Sequence, residues 1–167
     1  MRKALYILGD LDDGDLLWMS RNGENRALSE GEVLIEAGRE VTELYFVTDG
    51  NLEVTTRNGQ KLATLALGDA VGEMSFVEKR LPGASVTAQG DARVLAIPRH
   101  AILEEFDRDS GFAARFYRAL AVFLSDRLRS ATAQDSGDEL DEGVLDNLHQ
   151  AGDRFVRLVA LLDGRER

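Results

Sequence analysis

The stretch VGEMSFVEKRLPGASVTA, residues 71–88, is the most informative part of the chain. Gly72 opens a turn into a predicted short helix, and the N-terminus of a helix attracts anions. Small residues at Gly83 and Ala84 leave room for a phosphate group against the backbone. Glu73 is a charged acceptor that suits a sugar hydroxyl, and its alternative is a surface or salt-bridged glutamate in a turn. These residue types can accommodate an anionic group.

The region around this loop has the pattern of a β domain. From Asn25 to Pro98, short runs rich in Val, Leu, Ile, Thr and Tyr are separated by glycines at nearly regular intervals, which is typical of an all-β sandwich or barrel. The pair Asn58-Gly59 predicts a two-residue type I′ hairpin turn, since both positions of that turn need a positive φ. The residues predict strands over 32–35, 43–48, 51–57, 60–67, 85–89 and 92–97.

Helical periodicity is found on both sides of the β region. Asp10 to Met19 predicts a short N-terminal helix, and Arg99 to Asp107 predicts a second short helix. Ser110 is expected to cap a longer helix that runs to about Ala133 and has a broad apolar face. The acidic, glycine-containing segment 135–139 interrupts the pattern and marks the predicted boundary.

A further amphipathic helix is predicted beyond that boundary. Its apolar residues alternate in steps of four and three, so they share one stripe. The stripe has two interpretations: the helix docks on its own β-roll, or it associates with another copy or partner. The residues on the stripe are Val144, Leu148, Ala151, Phe155, Leu158 and Leu162.

Residues 71–88 resemble the phosphate-binding cassette of the cyclic nucleotide-binding domain family. The resemblance extends from about Ala27 to Ala133, through Leu44-Tyr45-Phe46-Val47 and the pair Gly68-Asp69. It implies a mainly β fold: an eight-stranded antiparallel β-roll, or double-stranded jelly roll, with a short N-terminal helix and two C-terminal helices. The tail helix is additional. We expect a domain over residues 1–134, followed by an acidic linker and tail over 135–167 with no DNA-binding domain.

The resemblance also assigns roles to residues. Glu73 occupies the position of the family's ribose ligand, whereas Pro82 occupies the position of the arginine that holds the cyclic phosphate. Met74 and Phe76 are expected to be core residues beneath the cassette. The candidate ligand-binding residues are Gly72, Glu73, Met74, Ser75, Arg80, Pro82, Gly83, Ala84 and Ser85. Weaker base-capping candidates on the long helix are Arg127, Ala131 and Thr132.

Pro82 decides between the functional interpretations. Without the arginine, the chain is expected to be a stand-alone, non-catalytic regulatory module whose cyclic nucleotide binding is weak or lost. The alternative is a true cAMP or cGMP sensor that uses Glu73 together with Arg80, which lies two residues from the expected position and is otherwise a solvated charge. A catabolite-activator type of transcription regulator is a third interpretation. The acidic, 33-residue stretch after the long helix argues against it.

The composition of the chain limits the classes of partner that we expect. The formal net charge is −10, which is the opposite of what a nucleic-acid binder needs. There is no secretory pattern and no run of about 18 apolar residues, so no membrane partner and a cytoplasmic location are expected. The chain has no cysteine, and we expect no metal, no cofactor and no enzyme activity. The expected partners are a second copy, through helices 110–133 and 144–162, and an unidentified effector protein.

Overall fold

The computed structural model describes residues 3–132 and 142–164. Among them are eight strands, five α-helices and one 3₁₀ turn over Glu73–Phe76. The helices are α1 Lys3–Asp10, α2 Asp13–Asn22, α3 Arg99–Arg108, α4 Ser110–Thr132 and α5 Glu142–Asp163. The strands are β1 Glu24–Leu28, β2 Val33–Ile35, β3 Glu43–Asp49, β4 Leu52–Thr56, β5 Lys61–Leu65, β6 Ala70–Val71, β7 Ala84–Ala88 and β8 Ala92–Pro98.

The strands form two four-stranded antiparallel sheets. Their orders are β1-β8-β3-β6 and β2-β7-β4-β5. Inward-facing side chains of both sheets form one apolar core, because alternate residues of a strand face the same side. The core includes Tyr45, Val47, Val94 and Ala96 from the first sheet, and Ile35, Leu52, Leu65, Val86 and Ala88 from the second. The predicted β-roll is confirmed.

Six of the strands match the sequence pattern, and two were not placed by it. The strand β1 reads ENRAL and buries only Leu28 fully, so its apolar alternation is weak. The strand β6 has two residues, which is too short for any periodicity. Their presence followed from the family resemblance and not from the residues alone.

The β4–β5 hairpin differs from the predicted two-residue turn. Gly59 has a φ of 80°, but no residue other than glycine has a positive φ in the described part of the chain. The Gly59 N–H donates to the Thr56 carbonyl at 3.0 Å, and the Thr56 N–H donates to the Gln60 carbonyl at 2.8 Å. This is a three-residue loop with glycine in the left-handed position. The type I′ prediction was wrong because Asn58 does not adopt a positive φ.

The described residues divide into two compact units. One contains residues 22–103, and the other contains 3–21 together with 104–132 and 142–164. The first holds both sheets. The predicted linker over 135–139 and the predicted domain boundary after residue 134 lie outside the described residues, so that division stays a prediction.

The helical unit contains a helix that the sequence pattern did not reveal. The helix α1 packs against both α4 and α5, and it buries Ile7 and Leu8 completely. The helix expected over Asp10 to Met19 corresponds to α2, which begins at Asp13. Asp12 caps it, since its side chain accepts the Asp15 N–H at 2.9 Å and the Asp15 side chain accepts the Asp12 N–H at 2.8 Å.

The long helix α4 is capped by Asp109 and not by Ser110. The Asp109 Oδ1 accepts the N–H groups of Gly111 at 2.8 Å and Phe112 at 3.1 Å, as an N-cap side chain does. Ser110 is already the first helical residue. The prediction of the cap was therefore wrong by one residue, because the sequence offers two adjacent residues that can both cap.

The tail helix α5 docks on α1 of its own chain. Ala151, Phe155, Leu158 and Leu162 are buried, as the stripe predicts. Arg154 donates to the carbonyl oxygens of Leu8, at 3.1 Å, and of Gly9, which lie at the end of α1. The side chains of Val144 and Leu148 lie outside the described ones. Self-association through α4 and α5 stays a prediction.

Among the described residues, no helix combines the length and hydropathy that crossing a membrane requires.

Candidate functional site

The cassette begins with a turn that only glycine fits. Gly72 has a φ of 97°, and a Cβ there would lie 2.5 Å from the Glu43 carbonyl oxygen and 3.2 Å from Val41. The carbonyl of Gly72 accepts both the N–H of Ser75, at 3.3 Å, and its hydroxyl, at 2.7 Å. The Ser75 side chain is therefore used to close the 3₁₀ turn. This end of the cassette is packed tightly against β3.

Two acidic residues are buried at this end of the cassette. Glu73 is 3% exposed and Asp69 is 8% exposed. The Asp69 carboxylate accepts the Ala66 N–H at 2.9 Å, and its carbonyl accepts the Val47 N–H at 2.8 Å. Asp69 thereby fixes the turn that leads into the cassette. Because Glu73 is buried, it is not a surface glutamate. Burial of a polar group costs free energy unless it is compensated, and the ribose role and the salt-bridge role of Glu73 both stay predictions.

Arg99, the first residue of α3, contacts the 3₁₀ turn. Its Nε donates to the Ser75 carbonyl at 3.2 Å, and its guanidinium lies 5.7 Å from the centre of the Phe76 ring, within cation–π range. Phe76 is buried, as predicted, and Met74 is partly buried. Sequence reasoning missed Arg99 because its contact depends on the fold and not on a motif.

The other end of the cassette is tied to the β2–β3 loop. The Pro82 carbonyl accepts the Gly38 N–H at 2.8 Å, and the Ser85 hydroxyl accepts the Ala37 N–H at 3.0 Å. Between these residues, Gly83 is exposed, and a Cβ there would meet no atom within 4 Å. The serine expected to face a ligand is thus engaged with backbone, while the space at Gly83 is open.

Arg80 is exposed. It makes no hydrogen bond or ion pair with any residue that the structure describes. Its neighbours Glu78, Lys79 and Leu81 are exposed as well. The segment between the 3₁₀ turn and Pro82 therefore lies on the surface of the β unit.

Arg57 is a basic residue near the cassette that sequence reasoning did not select. It directly follows β4, whose last residue, Thr56, pairs with Ala84 at the start of β7. Its guanidinium lies against the backbone of Gly38, where a Cβ would come 2.5 Å from Nη2. The signal that could have found it is strand register, which requires a partner strand to be known.

A partly buried polar network lies on β1 and β3. Arg26 donates to both carboxylate oxygens of Glu43, at 2.8 and 2.9 Å, and Tyr45 donates its hydroxyl to Glu43 at 2.8 Å. The bonds from Arg26 hold the pKa of Glu43 below its usual value, against the opposite effect of burial. Burial, assisted by Glu43, raises the pKa of Tyr45 to about 12. The three groups satisfy one another.

A cavity of about 250 Å³ lies beside this network. It is lined by β2, the β2–β3 loop and Tyr45. Its polar rim includes the exposed ion pair between Arg39 and Glu36, whose Nε and Oε2 atoms are 2.9 Å apart. Because Tyr45 already bonds to Glu43 and Arg39 to Glu36, the cavity offers few uncommitted polar groups.

The three base-capping candidates lie on α4, in the helical unit. The backbone of Arg127, Ala131 and Thr132 is helical, but their side chains lie outside those that the structure describes. Their role stays a prediction.

An antiparallel β-roll with a glycine-glutamate turn and a Gly83-Ala84-Ser85 strand start defines a class of ligand-binding regulatory domain. The chain belongs to the cyclic nucleotide-binding domain family, whose model matches residues 25–109. Among the groups of His, Asp and Glu in the described residues, none is arranged to hold a metal ion.

A curated relative extends the match beyond the cassette. Glutaminase 2 of Bradyrhizobium diazoefficiens is 29% identical over 128 residues, which is 77% of this chain and 20% of the relative. The chain spans about a fifth of the length of the curated relatives that it matches first.

Solved structures share the fold. The N-terminal domain of a transcriptional regulator from Streptomyces coelicolor A3(2) superposes with a TM-score of 0.63 at 23% identity, over 80% of this chain and 95% of that one. The regulatory subunit of a cAMP-independent protein kinase A from Trypanosoma brucei gives a TM-score of 0.59 at 21% identity, over 74% of this chain and 41% of that one. These neighbours include signalling and regulatory proteins.

Proposed function

We propose that the chain is a non-catalytic regulatory module in which cyclic nucleotide binding is weak or lost because Pro82 replaces the phosphate-binding arginine. The observation that carries the proposal is the absence of a basic side chain from the cassette between Gly72 and Ser85, apart from the exposed Lys79 and Arg80. Proline also lacks an N–H and fixes φ near −65°. Its carbonyl is already bonded to Gly38.

The size of the effect follows from the missing bonds. A hydrogen bond to a charged group contributes about 1.5–3 kcal/mol, so the loss of the arginine weakens binding by roughly 10- to 150-fold. The net charge of −10 adds long-range repulsion of an anionic nucleotide. Ser85 offers little compensation, since its hydroxyl already accepts the Ala37 N–H.

The alternative is a cAMP or cGMP sensor that uses Glu73 and Arg80. The burial of Glu73 favours a retained ribose position. The exposure of Arg80 and its lack of contacts within the described residues speak against its use as the phosphate ligand. The weak-binding proposal therefore stands first.

The regulatory role is inferred from the proteins in which the same domain or fold occurs. Glutaminase 2 is about five times as long as the matched segment, so the fold occurs within larger proteins. The trypanosomal neighbour is described as belonging to a cAMP-independent kinase. We propose that this module likewise acts on an effector, either in a partner or in the same polypeptide, without strong dependence on cAMP.

The test restores the missing cation. We expect Pro82→Arg to raise the affinity for cAMP or cGMP by roughly 10- to 150-fold over wild type, measured by isothermal titration calorimetry. Pro82→Ala is the matched control, because it removes the ring without adding a charge, and it should bind as wild type does. Submicromolar binding by the wild-type protein would overturn the proposal. Loss of affinity in Arg80→Ala would favour the sensor.

A further inference from the structure

We infer that Arg57, from the β4–β5 hairpin, is the cation that meets the phosphate of a phosphate-ester ligand at the Gly83 end of the cassette. The inference rests on the proposed loss of the cassette arginine at Pro82. It adds the residue that would take over the contact and the chemical class of group that it would hold. The residual binding would then depend on a different strand from the one that the family motif indicates.

Strand register places Arg57 beside the open end of the cassette. Thr56, the last residue of β4, pairs with Ala84 of β7, so Arg57, the first residue of the hairpin loop, follows on the side of Gly83, which precedes Ala84. Neighbouring strands are separated by about 4.8 Å. The Cα of Arg57 therefore lies close to the backbone where a phosphate is expected.

The Arg57 side chain extends toward the loop between β2 and β3. The sheet order is β2-β7-β4, so the start of β7 lies between Arg57 and the loop that follows β2. The guanidinium reaches across to Gly38, where a Cβ would lie 2.5 Å from Nη2 and 3.4 Å from Cζ. Gly38 in turn donates to Pro82. The guanidinium thus lies beside the loop residue that is hydrogen-bonded to the end of the cassette.

The backbone at Gly83 is open to a ligand. Gly83 is exposed, and a Cβ built on it would meet no atom within 4 Å. A side chain at position 38 would collide with the guanidinium, and a side chain at position 83 would occupy space that is now open. Glycine at both positions therefore leaves room for the guanidinium and for a ligand.

The charge of Arg57 is not committed elsewhere. It makes no ion pair or hydrogen bond with the residues that the structure describes, whereas Arg26, Arg39 and Arg115 each pair with a carboxylate. A guanidinium binds phosphate oxygens through two parallel N–H groups. The exposed Glu36 and Glu40 flank Gly38 and oppose an anion, which keeps the expected affinity weak.

The experiment titrates the full chain with cAMP and with cGMP by calorimetry, in the wild type and in Arg57→Ala, Arg57→Lys and Arg80→Ala. Arg57→Ala should lose about 10-fold or more in affinity for the nucleotide, and Arg57→Lys should lose less. Adenosine, which lacks the phosphate, should bind Arg57→Ala and wild type equally. Arg108→Ala, which removes an exposed arginine of α3, is the matched charge control and should behave as wild type.

The other outcomes either overturn or support the role of Arg57. Equal nucleotide affinity of Arg57→Ala and wild type overturns the inference, and so does a loss confined to Arg80→Ala. Absence of any nucleotide binding by the wild type at millimolar concentration also overturns it but leaves the proposed weak or lost binding in place. Tight wild-type binding that Arg57→Ala reduces supports the inference and overturns the proposed weakness. Far-UV circular dichroism and a denaturation midpoint establish that each variant is folded.

Discussion

Arginine side chains are paired with carboxylates in one region of the molecule and lack such partners in another. In the helical unit, Arg115 of α4 donates Nε and Nη2 to the two carboxylate oxygens of Asp15 in α2, each at 2.7 Å. Asp12 and Asp109 lie 3.3 and 3.7 Å from the same guanidinium. Arg57 beside the cassette and Arg80 within it have no such carboxylate among the described residues. A charge that is paired inside the protein stabilises the fold, whereas an unpaired one is available to a ligand.

The pairing in the helical unit includes two helix caps. Asp12 caps α2, and Asp109 caps α4. The backbone hydrogen bond from Asp15 is the main influence that lowers the pKa of Asp12, and Arg115 lowers it further. One arginine therefore neutralises carboxylates that fix the starts of two helices. Among the described residues, neither Arg57 nor Arg80 pairs with carboxylates in this way. The difference can be tested by replacing the arginines of the two regions one at a time.

The largest expected effect is on the stability of Arg115→Ala. It leaves Asp15, which is 5% exposed, without its cation, and breaking a buried pair costs about 3–5 kcal/mol. Because the Arg115 side chain is 31% exposed, we expect about 2–3 kcal/mol less unfolding free energy in chemical denaturation. Arg118→Ala, which removes a 75% exposed side chain 3.7 Å from Asp10, should cost about 0.5 kcal/mol or less.

Arg57→Ala should leave stability within about 0.5 kcal/mol of wild type, and this result contrasts the two arginines directly. A loss as large as that of Arg115→Ala would show that Arg57 is also a structural residue. The comparison between a paired and an available charge would then fail.

The second prediction compares the two ends of the cassette. Gly72→Ala should destabilise the protein by about 2–3 kcal/mol, since it combines a positive φ with a close approach to the Glu43 carbonyl. Gly90→Ala has a positive φ but open space, and it should cost about 1 kcal/mol. Gly83→Ala has neither constraint and should stay within about 0.5 kcal/mol. Thermal or denaturant unfolding of the three variants gives the ranking.

Equal costs for Gly72→Ala and Gly83→Ala would contradict this description of the cassette, because they would show that its two ends are packed alike. A ligand could then not enter at Gly83 without displacing protein atoms.

A third arginine, Arg154, is expected to contribute less to stability than Arg115 and more than Arg57. Arg154 of α5 donates to the last carbonyl groups of α1, at Leu8 and Gly9, which favour a cation. Arg154→Ala should cost about 1 kcal/mol of unfolding free energy. Arg157, whose Nη1 lies 2.7 Å from the exposed Asp13, is the control, and its replacement by alanine should cost about 0.5 kcal/mol or less. The reverse order would remove the carbonyl cap as the main polar contact of α5.

The smallest predicted effect is the pH dependence of the stability that Glu43 contributes. The pKa of Glu43 in the folded protein lies below its ordinary value of 4.5, so its pairing with Arg26 stabilises the fold above pH 4.5 and is lost as the pH falls through the folded-state pKa. Glu43→Gln should be less stable than wild type at neutral pH, and the difference should shrink on acidification. Denaturation midpoints over this pH range provide the measurement. A constant difference would show that the charge of Glu43 does not contribute.

The sequence predicts the fold well where the pattern is local. Glycine spacing and β-branched runs locate six strands, and the apolar stripe locates α5 together with the residues that it buries. The same reasoning fails for β1, β6 and α1, which are short or mixed in polarity. Their structure depends on neighbours that are distant in sequence, such as the pairing of Glu24 with Ala96.

The candidate site shows the same limit. Gly72, Glu73 and Pro82 can be selected from the sequence, since the cassette is contiguous. Arg57 and Arg99 cannot be, because their contacts with Gly38 and Ser75 arise from strand register and from the start of α3. The exact cap of α4 and the turn at Asn58 depend on differences too small for residue type alone to decide.

The contact between α1 and α5 has a consequence for how the protein is made. Arg154 and Leu8 are 146 positions apart, and the whole β unit is inserted between the two parts of the helical unit. A ribosome releases the N-terminal side of a chain first, so the residues of α1 that pack on α5 stay uncovered until Glu142–Asp163 has been synthesised. Contacts between such distant residues also slow folding. The β-roll is therefore expected to fold first during synthesis, and the helical unit to close last.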